Sequence, residues 1–384
     1  MSDKVIFIGA DIVPTKTNAE YFKLGDAEYL VGKELLAVLD DADYTIMNLE
    51  TPLTDTTSEI VKCGPCLCAG TDTIKGLKRI NPHFYTLANN HIFDQDVQGL
   101  NSTIKCLREN GISFAGVGET PEEASKPFIT NLDGIKIGIY CCAEHEFSIV
   151  TDNRPGANPY DPLYSFDHVR ALREQVDILI VLYHGGKEHY RYPSPELRRI
   201  FRKFAECGAD YVIAQHTHCI GCMEQYLGKT LVYGQGNFLF DNSNSDYWKT
   251  SILLKIIIKD PINYRLEIIP LIKKEERVEL ATGQEKQKIL SELEKRNNNL
   301  SEPNFVENMY AQYAEQMRKE YFIRLLGKWG KNPLIRILNK ITSYRFLDSI
   351  YTDAYLPVVE NCFDCEAHRE LAAQVTKRYM VNKK

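Results

Sequence analysis

The chain has 384 residues, with 44% hydrophobic and 26% charged side chains, a balance that suits a globular protein and excludes a disordered or fibrous one. With 46 Lys and Arg against 52 Asp and Glu the net charge is −6, so the molecule as a whole does not suit a nucleic-acid backbone and no nucleic-acid partner is expected. Eleven cysteines, an odd number, and a first apolar run of only Val5-Ile6-Phe7-Ile8 lead to the expectation of a cytoplasmic protein with reduced thiols, lacking a signal peptide and a transmembrane helix.

In chain order, β-branched runs at 5–9, 44–49, 84–88, 135–141, 178–183 and 211–214 alternate with helical spacing, as in Leu100, Ile104 and Leu107 before Gly111. Ser194 and Pro195 open a helix that carries Leu197, Ile200, Phe201 and Phe204 and stops at Gly208. Runs at 231–233, 251–258 and 264–269 follow one another through short connections, which predicts an antiparallel portion added to a helix-covered sheet. After Ile272 the strands are expected to give way to helices over 284–300, 305–327, 333–342 and 364–380, with breaks at Asn297-Asn298-Asn299 and 330–333. The predicted domains are therefore 1–273 and a helical region, 274–384.

The polar residues that carry chemistry stand where predicted strands end: Gly9-Ala10-Asp11, Asn48-Leu49-Glu50, Asn89-Asn90-His91, His184-Gly185-Gly186 and His216-Thr217-His218. Ligands in open α/β sheets bind beyond the carboxyl ends of strands, so Asp11, Glu50, Asn90, His91, His184, His216 and His218 are expected to converge. Taken singly, each is an ordinary turn or cap residue. Carboxylate, amide and imidazole donors together suit one or two divalent ions, manganese, iron(II) or zinc, rather than calcium or a thiolate cluster.

The order Asp, acidic residue, Asn-His, His, His-x-His resembles the calcineurin-like metallophosphoesterases. The wording of Asn48-Leu49-Glu50-Thr51-Pro52, Leu87-Ala88-Asn89-Asn90-His91-Ile92-Phe93-Asp94, His184-Gly185-Gly186-Lys187-Glu188 and Tyr233-Gly234-Gln235-Gly236-Asn237-Phe238 resembles their capsule-biosynthesis CapA branch, associated with poly-γ-glutamate. The resemblance covers about residues 5–241 and leaves out the C-terminal third. It implies a four-layer α/β/β/α sandwich of two mixed sheets, followed here by the helical C-terminal extension. It also implies that Glu50 bridges two metals, that Asn90, His184 and His216 complete one site, and that Asp11 and His218 belong to the other. His91 would protonate the leaving group, and Asp94 is taken with it as a catalytic residue. The superfamily's first motif is normally Asp-x-His, and Val13 stands at its third position, so one metal site lacks a ligand. The function implied is a metal-dependent hydrolase, in first place a phosphoesterase, in the biosynthesis or processing of an anionic polymer. Two alternatives stay open: an assembly factor with a vestigial site, and a metallo-amidase cutting γ-glutamyl or peptide bonds.

Lys187, His189, Arg191 and Asn237 are the candidate contacts to an anionic small-molecule or polymer substrate, and Glu188 is expected to fix the loop or a ligand histidine. Cys63, Cys66, Cys68, Cys219, Cys222, Cys362 and Cys365 have metal-like spacings without a matching pair of knuckles, and inert thiols are expected. Residues 318–345 hold eight basic side chains against Glu320, together with the apolar stripes Tyr321, Phe322, Leu325, Leu326, Trp329 and Leu334, Ile337, Leu338, Ile341. Such stripes would either lie on an anionic membrane or capsule machinery or, the expectation preferred from sequence, pack on the protein's own core or a second subunit.

Overall fold

The β-branched runs form strands with both faces covered, which explains why they read as continuous apolar segments rather than alternating ones. In strand Ile178–His184 every residue is buried. Ile178, Ile180 and Leu182 join the larger apolar cluster, while Leu179, Val181 and Tyr183 join the smaller one. The computed structural model describes residues 3–240 and 245–381.

The chain forms two compact units, Met1–Val306 and Glu307–Lys384. The first holds two mixed sheets. The larger has eight strands, in the order Arg277–Leu280, Asn263–Lys274, Thr250–Asp260, Lys4–Val13, Tyr44–Leu49, Phe84–Thr86 and Ser113–Ala115, with Asn237–Phe240 pairing alongside Lys4–Val13. The smaller has six, in the order Met223–Tyr226, Lys229–Val232, Tyr211–Gln215, Ile178–His184, Ile135–Ala143 and Phe128–Leu132. Side chains of both sheets, among them Ile6, Ile8 and Ile46 with Ile137, Ile180 and Ile213, share one core. Helix Pro195–Glu206, capped by the Ser194 hydroxyl on the Leu197 amide at 3.1 Å, lays Leu197, Ile200, Phe201 and Phe204 against the other face of the smaller sheet. Helices Lys33–Asp40 and Asp96–Glu109 bury Leu35, Leu36, Leu39, Leu100 and Leu107 in the larger cluster, which completes the four-layer sandwich. Gln215 Nε2 donates to the Gly9 carbonyl at 3.2 Å and Gln235 Nε2 to the Ile8 carbonyl at 2.8 Å, so buried amides tie later segments to the first strand.

The composition change near residue 273 does not coincide with the limit of the first unit. Strand Asn263–Lys274 runs across it, and Arg277–Leu280 pairs back antiparallel, a strand beyond the point where strands were expected to end. Helix Gly283–Asn299 also belongs to this unit, because Ile289 and Leu293 enter its core. The asparagines read as a break lie in that helix: Asn297 Oδ1 accepts from the Met223 amide at 2.6 Å, and Asn299 Nδ2 donates to the Tyr192 hydroxyl at 2.9 Å.

The second unit is helical, with Pro333–Ile341, Arg345–Ile350, Leu356–Asp364 and Glu366–Val381 following the long helix Phe305–Leu325. Phe322 stacks on Tyr351 with centroids 4.2 Å apart, and Leu347 is buried. Within the chain, Trp329, Leu334, Ile337, Leu338 and Ile341 are all exposed, so the expected packing on the protein's own core is not met at these positions. No helix among the described residues is long and apolar enough to cross a membrane.

Candidate metal centre

Strand register brings the polar strand ends together. Asp11 lies beside Asn48 on one side and Asn237 on the other, while His184 pairs with Gln215 in the smaller sheet. A cross-sheet hydrogen bond closes the two halves, the His216 amide donating to Asp11 Oδ2 at 3.2 Å. Asn48 Nδ2 donates to Asp11 Oδ1 at 2.8 Å and stands 3.2 Å from His184 Nδ1, so one amide serves a residue of each sheet.

Three overlapping groups of side chains have their donor atoms within 4.8 Å of one another: Glu50, His184 and His216; Asp11, Glu50 and His218; Glu188, His216 and His218. Asn90 Oδ1, 3.0 Å from His184 Nε2, adds an amide oxygen to the first. Glu50 is fully buried and neither carboxylate oxygen has a hydrogen-bond partner among the described residues, although His184 Nε2 stands 3.3 Å from Oε1. Burial pushes the Glu50 carboxyl up to about 7. Burial and then the neighbouring Glu50 charge push Asp11 up to about 6. Burial likewise lowers His184 to about 4 and takes His216 well below its usual range, so both imidazoles are neutral donors at pH 7. A buried carboxylate without a partner costs several kcal/mol unless a cation faces it. The neutral imidazoles, amide oxygen and carboxylates fit a divalent ion of the manganese, iron or zinc type. Glu50, His216 and His218 each belong to two of the three groups, and Glu50, the carboxylate among them, has two oxygens with which it could bridge.

Asn89 builds the turn that presents the next two residues. Its Oδ1 accepts from the amides of His91 and Ile92 at 3.1 and 2.8 Å, and its Nδ2 donates to the Leu49 carbonyl at 2.8 Å. His91 Nδ1 lies 2.6 Å from Asp94 Oδ2, which leaves Nε2 available, and its side chain keeps 12% exposure beside a fully buried Asp94. Lys62, on the loop after Glu50, ends its 2%-exposed side chain 2.6 Å from Asp94 Oδ1 and 3.2 Å from His91 Nδ1.

Of the candidate substrate contacts, three have other tasks. His189 Nε2 accepts from the Trp248 indole at 2.8 Å, Arg191 donates to the Ile220 carbonyl at 2.8 Å and lies over Tyr247, and Asn237 Oδ1 accepts from His218 Nδ1 at 2.7 Å. Lys187 is half-buried, and the exposed Glu188 reaches 4.0 Å from His216 Nε2. Val13 packs with Phe240 and Trp248, so a small apolar cluster occupies the place where a histidine ligand would stand. All eleven cysteines are free; burial raises the thiols of Cys219 (to about 11) and Cys222, and no group with donor atoms this close includes a cysteine among the described residues. Sequence reasoning missed Lys62, Asn48 and Glu146, whose Oε2 accepts from Asn90 Nδ2 at 3.0 Å. Asn48 alone had a readable signal, a polar residue inside a buried strand.

The family model described as bacterial capsule synthesis protein PGA_cap matches residues 4–242. A capsule biosynthesis protein CapA of Bacillus anthracis is 26% identical over 245 residues, covering 61% of this chain and 59% of that one. A PGA biosynthesis protein CapA of Bacillus subtilis is 27% identical, covering 60% and 61%. This chain thus spans about three fifths of the length of the curated relatives it matches. Among solved structures, a phosphatase of Mycoplasma pneumoniae matches at TM-score 0.45 and 13% identity, over 72% of this chain and 95% of that one. With the family model matched over more than half of its length, this chain belongs to the bacterial capsule synthesis protein PGA_cap family.

Proposed function

We propose that the chain is a metal-dependent phosphoric ester hydrolase acting in the synthesis or processing of a capsule or poly-γ-glutamate-type polymer. The observation that carries this reading is Glu50, a buried carboxylate with both oxygens unpartnered, surrounded by Asp11, His184, His216 and His218. The names of the Bacillus relatives supply the polymer.

Asn90, His184, His216 and Glu50 would hold one ion; Asp11, His218 and Glu50 would hold a second, more weakly because Val13 brings no ligand. Divalent ions held there would supply Lewis acidity, to neutralise phosphoryl charge and acidify a water. His91, with Nδ1 held by Asp94, turns Nε2 towards the leaving group. As the oxygen of water bonds to phosphorus and the ester P–O bond breaks, His91 gives its proton to the departing oxygen. Lys62 keeps Asp94 in place, and through it the imidazole. Asn237 and Asn48 orient His218, Asp11 and His184, so the donor set is fixed before substrate arrives.

The test is a panel of phosphomonoesters, phosphodiesters and γ-glutamyl anilides given to the manganese-loaded chain. Phosphoester cleavage lost in Glu50→Gln is expected. Amine release without phosphoester cleavage would place the site in amide hydrolysis, and inertness towards the whole panel by a metal-loaded chain would overturn the reading.

A further inference from the structure

Helix Pro333–Ile341 is turned the wrong way round for a protein interior. Asn339 is buried, while Leu334, Ile337, Leu338 and Ile341 are 75%, 55%, 39% and 76% exposed. At 100° per residue those four positions span a single stripe. Lys340 borders it and the exposed Arg336 lies further round the helix, within reach of a surface by its long side chain, and Trp329, 56% exposed on the preceding turn, adds an indole with Lys328 Nζ 5.7 Å above its ring. The helix is well made: Pro333 opens it and the Asn332 side chain accepts from the Leu334 amide at 2.9 Å. Its outward stripe is therefore a feature of a stable element rather than of a frayed one.

The charges decide what covers this stripe. From Tyr321 to Leu347 the chain has Arg324, Lys328, Lys331, Arg336, Lys340 and Arg345 and not one Asp or Glu, in a protein whose net charge is −6. Arg324 pairs with Glu320, and the other five make no ion pair among the described residues. A second copy docked through the same face would set cation against cation in a symmetric contact. A soluble polyanion would satisfy the cations and leave four aliphatic side chains in water. An anionic bilayer meets both needs, since aliphatic side chains and an indole enter the acyl boundary while Lys and Arg stay among phosphate headgroups.

We propose that residues 328–345 form an interfacial anchor that lays helix Pro333–Ile341 on an anionic lipid surface, with Trp329, Leu334, Ile337, Leu338 and Ile341 inserted and the surrounding cations on the headgroups. The helix lies on the membrane rather than crossing it, as nine residues are less than half of what a span requires. The anchor is independent of the hydrolase reading, because none of its residues belongs to the metal centre.

The experiment is co-sedimentation of the full chain with vesicles of phosphatidylglycerol and phosphatidylcholine, and with phosphatidylcholine alone. Binding to the anionic vesicles only is expected. It should weaken steeply as salt shortens the screening length from about 10 Å at 0.1 M to about 3 Å at 1 M. Arg336→Gln with Lys340→Gln should weaken it roughly 10- to 30-fold, the effect of two headgroup contacts. Ile337→Asp with Ile341→Asp should abolish it without changing the circular dichroism spectrum, since both positions are exposed. Failure to bind, or binding that persists in the aspartate variant, overturns the proposal. So does a dimer in light scattering that the aspartate pair dissociates, or equal binding to poly-glutamate by the wild type and that variant.

Discussion

His216 and His218 sit at φ 88° and 51°, in the left-handed region where a residue with a Cβ costs about 1–3 kcal/mol, and the surrounding fold holds both. Such strain at the centre of a buried donor set is what a preorganised site requires. The raised carboxyls fix how metal binding depends on pH. Below about 6, protons on Glu50 and Asp11 compete with the ion, so affinity should rise from pH 5.5 to 8 and binding should release protons over that range, measurable by calorimetry in two buffers. Without metal the signs oppose. A carboxyl raised to about 7 loses stabilisation as pH climbs from its usual 4.5, whereas a histidine lowered to about 4 gains it as pH climbs towards 6.5. The metal-free chain should therefore show a shallow pH dependence of melting from this cluster, and a steep one once metal is added. His91→Gln should keep its metal while turnover falls roughly 10²- to 10⁴-fold, and His184→Ala should lose metal by elemental analysis. Lys62→Met leaves Asp94 as a buried charge without its cation, which should cost about 3–5 kcal/mol in chemical denaturation. The candidate ligands were legible because they close hydrophobic strands with polar residues. Lys62 was not, because its partner Asp94 lies 32 positions away, beyond helix Ile74–Arg79 and strand Phe84–Thr86, and no local pattern links the two.

At the scale of elements, the strands with two covered faces announced themselves as apolar runs, and the Ser194-Pro195 start of helix Pro195–Glu206 was readable from its cap alone. Strand Arg277–Leu280 was not, since only Val278 of its four residues is buried and no alternation can show over so short a length. Helix Gly283–Asn299 hid its attachment for a related reason: among many polar residues, two aliphatic positions four apart, Ile289 and Leu293, suffice to dock it. Its last turn reaches the segment after His218, where Arg296 Nε donates to the Gly221 carbonyl at 2.7 Å. Leu293→Ala should lower stability by about 2–5 kcal/mol in denaturant titration. Cutting the chain after residue 273 should give an aggregating or early-melting fragment, whereas cutting after 306 keeps the strand pairing and this helix, and should leave a cooperative thermal transition.

Across the whole molecule, composition fixed the class and the motif order fixed the layers, but exposure was beyond reach of the sequence. A stripe of Leu and Ile has the same spacing whether it faces a core or solvent, and only the buried Asn339 shows which way helix Pro333–Ile341 is turned. Val13 is similar: its identity removes a ligand, and its packing with Phe240 and Trp248 places it in a small apolar cluster. The proposed centre would therefore have two unequal halves. Calorimetric titration of manganese into the metal-stripped chain at pH 7.5 tests this most directly. The predicted isotherm has one tight step and one weaker step that dialysis reverses, both lost in Glu50→Gln, and a chain that takes up no manganese or zinc, or takes it up equally well without the Glu50 carboxylate, would contradict it.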